Sequence, residues 1–286
     1  MIFADGFAAI AAQYDGFILD LWGVIHDGVS PYKGAVDCLR RLRDVGKRCV
    51  LLSNAPRRAE AAQEMLRGMG IEDALYHGIL TSGEASHGVL RARRTTWVDP
   101  WFAALGSRVF HLGPERDRSV LDGLDLTLTE VMDADFVLNT GPDDHRAPTD
   151  VAAFEDVLAA CARRSLPMLC ANPDLEVIRG GVRVICAGAL AARYQQMGGD
   201  VRSLGKPDPA IYKPVLDMLG TGQARTLAVG DSLRTDIAGA AAAGLASCWV
   251  LGGIHGEALE QDRGRVAAEA AAAGLSPVAC LPAFVW

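Results

Sequence analysis

Short apolar runs alternate with helical patterns in the first part of the 286-residue chain. Phe17 to Leu21 is an apolar run of strand length, interrupted only by Asp20. Apolar residues then recur at helical spacing, and a second apolar run extends from Arg48 to Leu52. A strand, a helix and a strand in this succession form a βαβ unit, with parallel strands and a right-handed crossover. The pattern therefore predicts that Ser53 and Asn54, which follow the second run, lie beside Asp20.

The same pattern divides the chain into three segments. A basic run from Arg91 to Arg94 marks a change in composition, and a second set of short strands follows it, at Arg108 to Leu112, Phe136 to Asn139 and Met168 to Ala171. Strands typical of the first segment return from Val201 onwards, and the last of them is predicted at Ala246 to Leu251. We therefore predict a doubly wound parallel-sheet (Rossmann-like) α/β core formed by residues 1–92 and 200–286, with an α/β domain inserted at 93–199.

Three further predictions concern the termini and the inserted domain. Met1 to Tyr14 is predicted to be a short helix laid over the core. The alanine-rich stretch from Ala267 to Ala273 is predicted to be a helix, with a coil tail after it. Trp97 and Trp101 are four positions apart, and we expect them to pack in the core of the inserted domain or at an interface.

Composition narrows the functional class. Half of the residues are hydrophobic, which is enough for a substantial core, and the net charge of −7 argues against a nucleic-acid-binding surface. The seven cysteines show no metal-binding spacing, so buried reduced thiols are expected. No apolar run approaches the ~20 residues that span a membrane, and the N-terminus has no basic region typical of a secretory signal. We therefore expect a cytoplasmic protein without a membrane or nucleic-acid partner.

Polar residues capable of chemistry fall at the ends of predicted core strands. They are Asp20, Ser53 with Asn54, Lys206, and Asp231 with Asp236. Taken singly, each is typical of a turn or a loop, and Asp236 is most simply the N-cap of a helix that begins at Ile237. Taken together, they match a phosphoryl-transfer site: a carboxylate nucleophile, a hydroxyl and an amide for phosphate oxygens, a lysine charge, and acidic ligands for a hard divalent cation.

These motifs resemble the haloacid dehalogenase-like (HAD) superfamily. Its four motifs occur here in order as DLWGV (20–24), LLSN (51–54), GKPDP (205–209) and GDSLRTD (230–236). In the length between its second and third motifs, the chain resembles subclass IIA, whose members have a large α/β cap of the C2 type. Further stretches resemble its NagD-like or p-nitrophenyl-phosphatase-like group, namely GVIHDG, LLSNAPR, TSGEA, ANPD, GAL and GKPDPAIY.

The resemblance implies a Mg²⁺-dependent phosphatase that acts on a small phosphorylated metabolite. Asp20 would attack phosphorus and form an aspartyl-phosphate that water then hydrolyses. Mg²⁺ would be held by the carboxylates of Asp20 and Asp231 and by the backbone carbonyl of Trp22. Asp236 would act through water or by orienting its loop. A homodimer is a further possibility within such a group.

The resemblance also assigns residues to the substrate. Ser53 would donate a hydrogen bond to a phosphoryl oxygen, and Asn54 would hold the loop. Lys206 would neutralise charge on the nucleophile and the phosphate. The cap would close over the strand ends and choose the substrate, with the turn that contains Asn172 and Asp174 as the candidate for reaching it.

One position departs from the family pattern. Phosphatases of this superfamily carry an aspartate two residues after the nucleophile as general acid and base, and this chain has Trp22 there. Indole cannot transfer a proton at neutral pH, so His26 or Asp27 in the same loop is a candidate substitute. Two alternatives stay open: a metal-independent dehalogenase-like hydrolase, and a catalytically silent binder of a phosphorylated metabolite. The paired carboxylates Asp231 and Asp236 favour the metal-dependent phosphatase, because they would repel Asp20 without a cation.

Overall fold

The computed structural model describes residues 1–95, 99–179, 182–252 and 262–286. Within these ranges the chain forms a seven-stranded parallel sheet in the order β1-β14-β13-β12-β2-β3-β4 and a five-stranded parallel sheet in the order β11-β8-β7-β5-β6, while β9 and β10 form an antiparallel hairpin. The strands are β1 Ile2–Phe3, β2 Gly16–Leu19, β3 Arg48–Ser53, β4 Ile79–Thr81, β5 Arg108–Leu112, β6 Thr127–Leu128, β7 Phe136–Asn139, β8 Met168–Cys170, β9 Glu176–Arg179, β10 Val182–Ile185, β11 Val201–Ser203, β12 Thr226–Gly230, β13 Ala246–Val250 and β14 Ala279–Leu281. The helices are α1 Ala8–Ala11, α2 Ala35–Asp44, α3 Ala59–Gly68, α4 Ser82–Ala92, α5 Pro100–Ala103, α6 Glu155–Arg163, α7 Ala187–Gln196, α8 Tyr212–Leu219, α9 Ala238–Ala242 and α10 Arg263–Ala272.

The large sheet is buried on both faces, as a doubly wound parallel sheet requires. On β2, Phe17 and Leu19 point into one hydrophobic cluster, and Ile18 points into another on the opposite face. The helix α2 covers the first face through Cys38, Leu39 and Leu42 among its buried residues. The helix α8 covers the second face. The predicted doubly wound core is therefore confirmed.

The smaller sheet belongs to the inserted α/β cap and has its own core. One cluster contains Phe154 and Leu158 with side chains of α7, and a second lies on the other face of the sheet around Val109 and Phe136. The strand β11 pairs with β8 in this sheet, not with the large one. The boundary predicted between residues 199 and 200 therefore falls too early, and we propose that the chain returns to the core after Ser203.

Two short strands near the ends of the chain were not predicted, and they share a physical reason. The segment 1–14 contains the strand β1 as well as the short helix α1, and the predicted coil tail contains β14, which pairs with both β1 and β13. These strands are two and three residues long, too short to show a period. They form because the edge of the large sheet offers them partners. The hairpin β9–β10 and the helix α7 were also missed.

The structure also bears on two expectations from composition. All seven cysteines are buried and free, consistent with reduced thiols. Among the described residues, no helix is long and apolar enough to cross a membrane. Of the tryptophan pair, Trp97 lies outside the described residues, whereas Trp101 packs on the cap core and donates its indole N–H to Asp200 over 2.6 Å.

Candidate active site

Three neighbouring strands deliver their polar residues to one edge of the large sheet. The strand β2 lies between β3 and β12, and its last residue, Leu19, is paired with Leu51 on one side and Val229 on the other. Asp20 follows this residue directly, and its backbone N–H continues the ladder to the Val229 carbonyl at 2.9 Å. Ser53 ends β3, and Asp231 follows β12. The register therefore brings together residues that are far apart in sequence, at the carboxyl edge where α/β sheets bind ligands.

Lys206 lies at the centre of this edge and is only 3% exposed. Its Nζ donates to Asp20 Oδ1 at 2.6 Å, to Asp236 Oδ1 at 2.6 Å and to the Leu52 carbonyl at 3.1 Å. Burial opposes its charge, but the two carboxylates outweigh burial and hold the pKa of Lys206 above its ordinary value. The lysine is therefore a permanent cation that neutralises buried carboxylates.

Asn54 fixes the backbone that carries this lysine. Its Oδ1 accepts from the Lys206 N–H at 2.8 Å, and its Nδ2 donates to the Lys206 carbonyl at 3.0 Å and to Asp174 Oδ1 at 2.9 Å. The residue before the lysine, Gly205, has φ +136°, and a Cβ there would lie 2.2 Å from Ser82 Oγ and 2.5 Å from Asn54 Oδ1. Only glycine fits this approach, so Asn54 holds the third motif against the second.

Asp20, Asp231 and Asp236 form a buried acidic group. Each offers a carboxylate oxygen within 4.8 Å of the others. Burial, and then the charge of Asp236, raise the pKa of Asp20 above its ordinary value, although Lys206 acts in the opposite direction. Gly23 has φ +83°, and a Cβ on it would lie 2.0 Å from Asp231 Oδ2, so this loop leaves room for the carboxylate. Three hard oxygen donors with a surplus of negative charge are a donor set that suits Mg²⁺.

Asp236 is already engaged through both carboxylate oxygens. Oδ1 accepts from Lys206, and Oδ2 accepts from the backbone N–H of Ser232 at 3.1 Å. The sequence position of Asp236 indicates an N-cap, but Asp236 does not cap the following helix. Ser232 caps a π-helical segment, Leu233–Ile237, that contains Asp236. The π-helical turn directs the carboxylate back to the strand end, and the sequence motif gave no indication of this turn.

Ser53 lies at the mouth of this group and is 5% exposed. Its Oγ accepts from the backbone N–H of Ala55 at 3.2 Å. An oxygen that accepts this bond can still donate its own hydrogen. The hydroxyl is thus positioned to donate to an oxygen of a bound phosphoryl group.

Trp22 connects the core to the cap. Its indole N–H donates to the carbonyl of Ile178, on β9, at 3.1 Å. Its ring meets the His26 ring edge-on, with the ring centroids 5.5 Å apart. Gly28 has φ +88°, and a Cβ there would lie 2.2 Å from the Trp22 ring, so the loop closes tightly around the indole. The side chain that replaces the usual aspartate is therefore a packing element between two domains.

The two candidate substitutes for the missing acid and base differ in placement. His26 lines the cavity, is 1% exposed and accepts from the Gly28 N–H through Nδ1 at 3.0 Å. Burial lowers the pKa of His26 to about 4, so the ring is neutral at pH 7. Asp27 accepts from the backbone N–H groups of Val29 and Ser30, both at 2.8 Å, and these bonds lower its pKa. Asp27 thus stabilises a turn, and neither residue is poised to donate a proton.

A cavity of about 630 Å³ lies between this edge of the sheet and the cap. Among its cap residues are Asn172 and Asp174, where Asn172 Oδ1 accepts from the Asp174 N–H at 3.0 Å. Because Asp174 also accepts from Asn54, it links the cap to the core motifs. The structure thus brings together all the predicted site residues: Asp20, Trp22, Ser53, Asn54, Asn172, Asp174, Lys206, Asp231 and Asp236. The sequence analysis missed the arginines of the same cavity, Arg57, Arg116, Arg146 and Arg179.

Comparison with known proteins identifies the family. Residues 17–127 match the family described as haloacid dehalogenase-like hydrolase, and residues 203–275 match a HAD-hydrolase-like family. A crystal structure of a hydrolase of the haloacid dehalogenase-like family from Brucella suis is 30% identical, covers 99% of this chain and 100% of its own, and superposes with a TM-score of 0.83. The chain belongs to the haloacid dehalogenase-like hydrolase family.

Two curated relatives place this HAD hydrolase within the family. It is 28% identical to the D-glycerol 3-phosphate phosphatase of Mycobacterium tuberculosis over 86% of its own length, but spans only 65% of that enzyme. It is 28% identical to the ribonucleotide monophosphatase NagD of Escherichia coli, over 83% of this chain and 87% of the relative. The predicted resemblance to NagD-like phosphatases is confirmed.

Proposed function

We propose that this HAD hydrolase is a Mg²⁺-dependent phosphatase that hydrolyses a small phosphomonoester through an aspartyl-phosphate on Asp20. The observation that carries the proposal is the buried group of Asp20, Asp231 and Asp236 around Lys206, with Ser53 beside it and a cavity above. The relatives named as phosphatases support the reaction class. A dehalogenase would not need this concentration of carboxylates.

The carboxylates of Asp20 and Asp231 and the backbone carbonyl of Trp22 would hold the metal. Bound there, Mg²⁺ supplies positive charge that stabilises the phosphoryl oxygens and orients them. Asp236 supports the site from outside, because its oxygens are taken by Lys206 and by the Ser232 N–H.

The residues of the chain perform the transfer in two steps. Asp20 attacks phosphorus in line, the bond to the ester oxygen breaks, and the leaving alcohol takes up a proton. Water then attacks the aspartyl-phosphate, which releases inorganic phosphate and restores the Asp20 carboxylate. Ser53 donates to a phosphoryl oxygen in both steps. Lys206 lies 2.6 Å from Asp20 Oδ1, where it opposes the rise in the pKa of Asp20 and orients its carboxylate for attack. Fixed charges of this kind are the main source of catalysis in phosphoryl transfer.

Trp22 defines the kind of leaving group. General acid–base catalysis contributes about 100- to 10,000-fold, and the indole N–H that replaces the acid is bound to the Ile178 carbonyl. Leaving groups that need little protonation, such as aryl or acyl phosphates, lose least by this replacement. We propose that the natural substrate has such a leaving group, or that the enzyme is slow on alkyl phosphates.

The cap would close the cavity over the substrate. It contributes Asn172 and Asp174 close to the core motifs and Ile178 against Trp22. The Asn54–Asp174 hydrogen bond of 2.9 Å places cap and catalytic loop in direct contact. Closure of this kind excludes water and leaves substrate choice to the cap.

The decisive test is phosphate release from aryl, acyl and alkyl phosphates with Mg²⁺ or with EDTA. We expect release that requires Mg²⁺ and disappears in Asp20→Asn, while the variant keeps its circular dichroism spectrum and thermal melting. Release by Asp20→Asn at the wild-type rate would remove the nucleophile assignment. Halide release from small haloacids without metal would instead support a dehalogenase.

A further inference from the structure

Three arginines line the cavity at a distance in sequence from one another. Arg57 belongs to the loop after β3, Arg116 to the 3₁₀ segment Glu115–Leu121 of the cap, and Arg179 to the end of β9. None of them bonds to the carboxylates around Lys206. Their convergence on one cavity therefore needs an explanation separate from the reacting centre.

The backbone of Arg57 is held firmly while its side chain faces the cavity. Thr81 Oγ1 donates to the Arg57 carbonyl at 2.5 Å, and the next residue, Arg58, pairs with Glu84 at 2.7 Å. Neighbouring arginines thus have different roles, one in the scaffold and one in the cavity. The Arg57 side chain is half-buried, and among the described residues its guanidinium makes one side-chain hydrogen bond, to Met65 Sδ at 4.0 Å. Its hydrogen-bonding capacity is therefore largely unused.

The charges around Arg57 come from both domains. Burial lowers the pKa of Arg57, and Arg116 and Arg179 lower it further, whereas Asp117 raises it. Asp117 is 2% exposed, and its Oδ1 has no hydrogen-bond partner within the described part of the chain. A guanidinium remains charged even after such a shift. At Arg57, the charge of one buried carboxylate, Asp117, is therefore set against those of two further guanidinium groups.

The other acidic groups of this region do not remove the excess. Arg116 lies 3.7 Å from Asp144, a loose contact between two side chains that are about half exposed. Arg179 has no salt bridge among the described residues. By contrast, the fourth cavity arginine, Arg146, is paired with Asp143 and lies over the Phe154 ring. The positive surplus is thus confined to Arg57, Arg116 and Arg179.

We propose that Arg57, Arg116 and Arg179 form a second anion-binding subsite, so that the preferred substrate is a small phosphomonoester with a further anionic group on its leaving part. The inference rests on the proposed phosphatase function and names its substrate class. Guanidinium groups bind carboxylates and phosphates through paired, charge-assisted hydrogen bonds. An anion there is neutralised by the subsite, while the ester phosphate occupies the Asp20 centre at the other end of the same cavity.

The test compares esters that differ only in the second group. The probes are 3-phosphoglycerate with a carboxylate, glycerol 1,3-bisphosphate with a second phosphate, and glycerol 3-phosphate with a neutral hydroxyl. We expect wild-type kcat/KM to favour one of the anionic esters over the neutral one by about 10- to 100-fold, the range of a charge-assisted hydrogen-bond pair. Which of the two is favoured identifies the anion.

Matched variants locate the effect. Arg57→Met and Arg116→Met should reduce the preference about tenfold or more, mainly through KM. Arg118→Met should keep the preference. This substitution removes the same charge from the same 3₁₀ segment, but Arg118 pairs with Glu115 outside the cavity. If Arg57→Met does not fold, Arg116→Met decides the question, since Arg116 is exposed and its one ion pair among the described residues is the loose contact with Asp144. A preference that survives in both variants would overturn the subsite.

The result is separable from the phosphatase assignment. Hydrolysis of all three esters at similar kcat/KM would leave the phosphatase standing and remove the subsite. If no ester is hydrolysed, the dissociation constants of the same esters for Asp20→Asn with Mg²⁺, measured by calorimetry, decide instead. Tighter binding of an anionic ester that weakens in Asp20→Asn with Arg57→Met supports the subsite, and equal constants contradict it.

Discussion

The two ends of the cavity are built on opposite electrostatic plans. At the core end, three buried carboxylates share one lysine: Lys206 binds Asp20 and Asp236, and Asp231 offers an oxygen within 4.8 Å of both. At the cap end, Arg116 and Arg179 are exposed and loosely paired or unpaired among the described residues. A buried centre with a surplus of negative charge suits a hard divalent cation. A cap end whose arginines are loosely paired or unpaired suits the part of the substrate that differs from one phosphate ester to another.

The largest expected effect tests whether the core end depends on its lysine. Lys206→Met removes one partner from two buried ion pairs, which leaves Asp20 and Asp236 uncompensated. We expect turnover to be lost and the free energy of unfolding to fall by about 3–5 kcal/mol. Chemical denaturation measures the change. Lys213→Met, whose exposed side chain pairs with Asp217 at 3.0 Å, should cost less than about 0.5 kcal/mol. An equal fall in the free energy of unfolding in both variants would contradict the dependence of the core end on Lys206.

The second prediction concerns the stability of the cap at low pH. Burial, with help from Arg118, lowers the pKa of His111 from 6.5 to about 4. The unfolded chain therefore binds the proton more readily, so the stability that His111 contributes is complete above pH 6.5 and is lost as the pH falls towards 4. At about 1.4 kcal/mol per pKa unit, the loss is up to about 3 kcal/mol.

Urea denaturation between pH 7 and pH 4 measures this loss. His111→Gln keeps a partner for Thr140, which lies 2.7 Å from His111 Nε2, and should flatten the pH dependence. His145→Gln, at an exposed position of the cap, should leave the dependence as it is in the wild type. A slope that is unchanged in His111→Gln would assign the acid sensitivity to other groups.

The third prediction tests the metal at the core end. Asp231→Asn removes one anionic donor from the acidic group and should weaken Mg²⁺ binding by at least about 10- to 100-fold, the range found even for residues that only support a ligand. Isothermal titration calorimetry gives the dissociation constant without turnover. Asp217→Asn is the matched control, because its carboxylate is exposed. An identical constant in both variants would argue against the metal site.

The smallest expected effect lies where the two ends meet. Trp22→Phe keeps an aromatic ring but removes the N–H that binds the Ile178 carbonyl. A single hydrogen bond is worth about 0.5–1.5 kcal/mol, so amide exchange in the hairpin β9–β10 should accelerate a few-fold. Trp101→Phe removes an indole bond to Asp200, elsewhere in the cap, and should not affect the hairpin. Unchanged exchange in Trp22→Phe would show that packing alone holds the hairpin.

The same contrast explains what the sequence could predict. Asp20 and Asp231 directly follow a buried strand and Ser53 ends one, so parallel pairing alone brings them together. Lys206 was assigned to this edge from a local and specific motif, and its Nζ lies 2.6 Å from Asp20 Oδ1. Asp236 was assigned to the site from its motif, but its bond to Lys206 was not predicted, since it depends on the π-helical turn that contains Asp236.

The sequence carries no comparable signal for the arginines at the cap end of the cavity. Arg116 and Arg179 meet Arg57 only after a separate sheet has folded and docked on the core. Arginine also occurs on most surfaces, so its presence in the sequence carries little weight. Only Arg57, in the loop that begins at Asn54, could have been suspected from its position.

The placement of β11 limits how caps can be exchanged between such enzymes. Ser203 ends the edge strand of the cap, and only Leu204 and Gly205 separate it from Lys206. A graft that replaces the cap must therefore be joined within two residues of Lys206, where Gly205 tolerates no side chain. The entry into the cap, after α4, imposes no such limit. In a cap exchange, the junction after the cap should accordingly be chosen first, and Gly205 and Lys206 should be kept from the recipient protein.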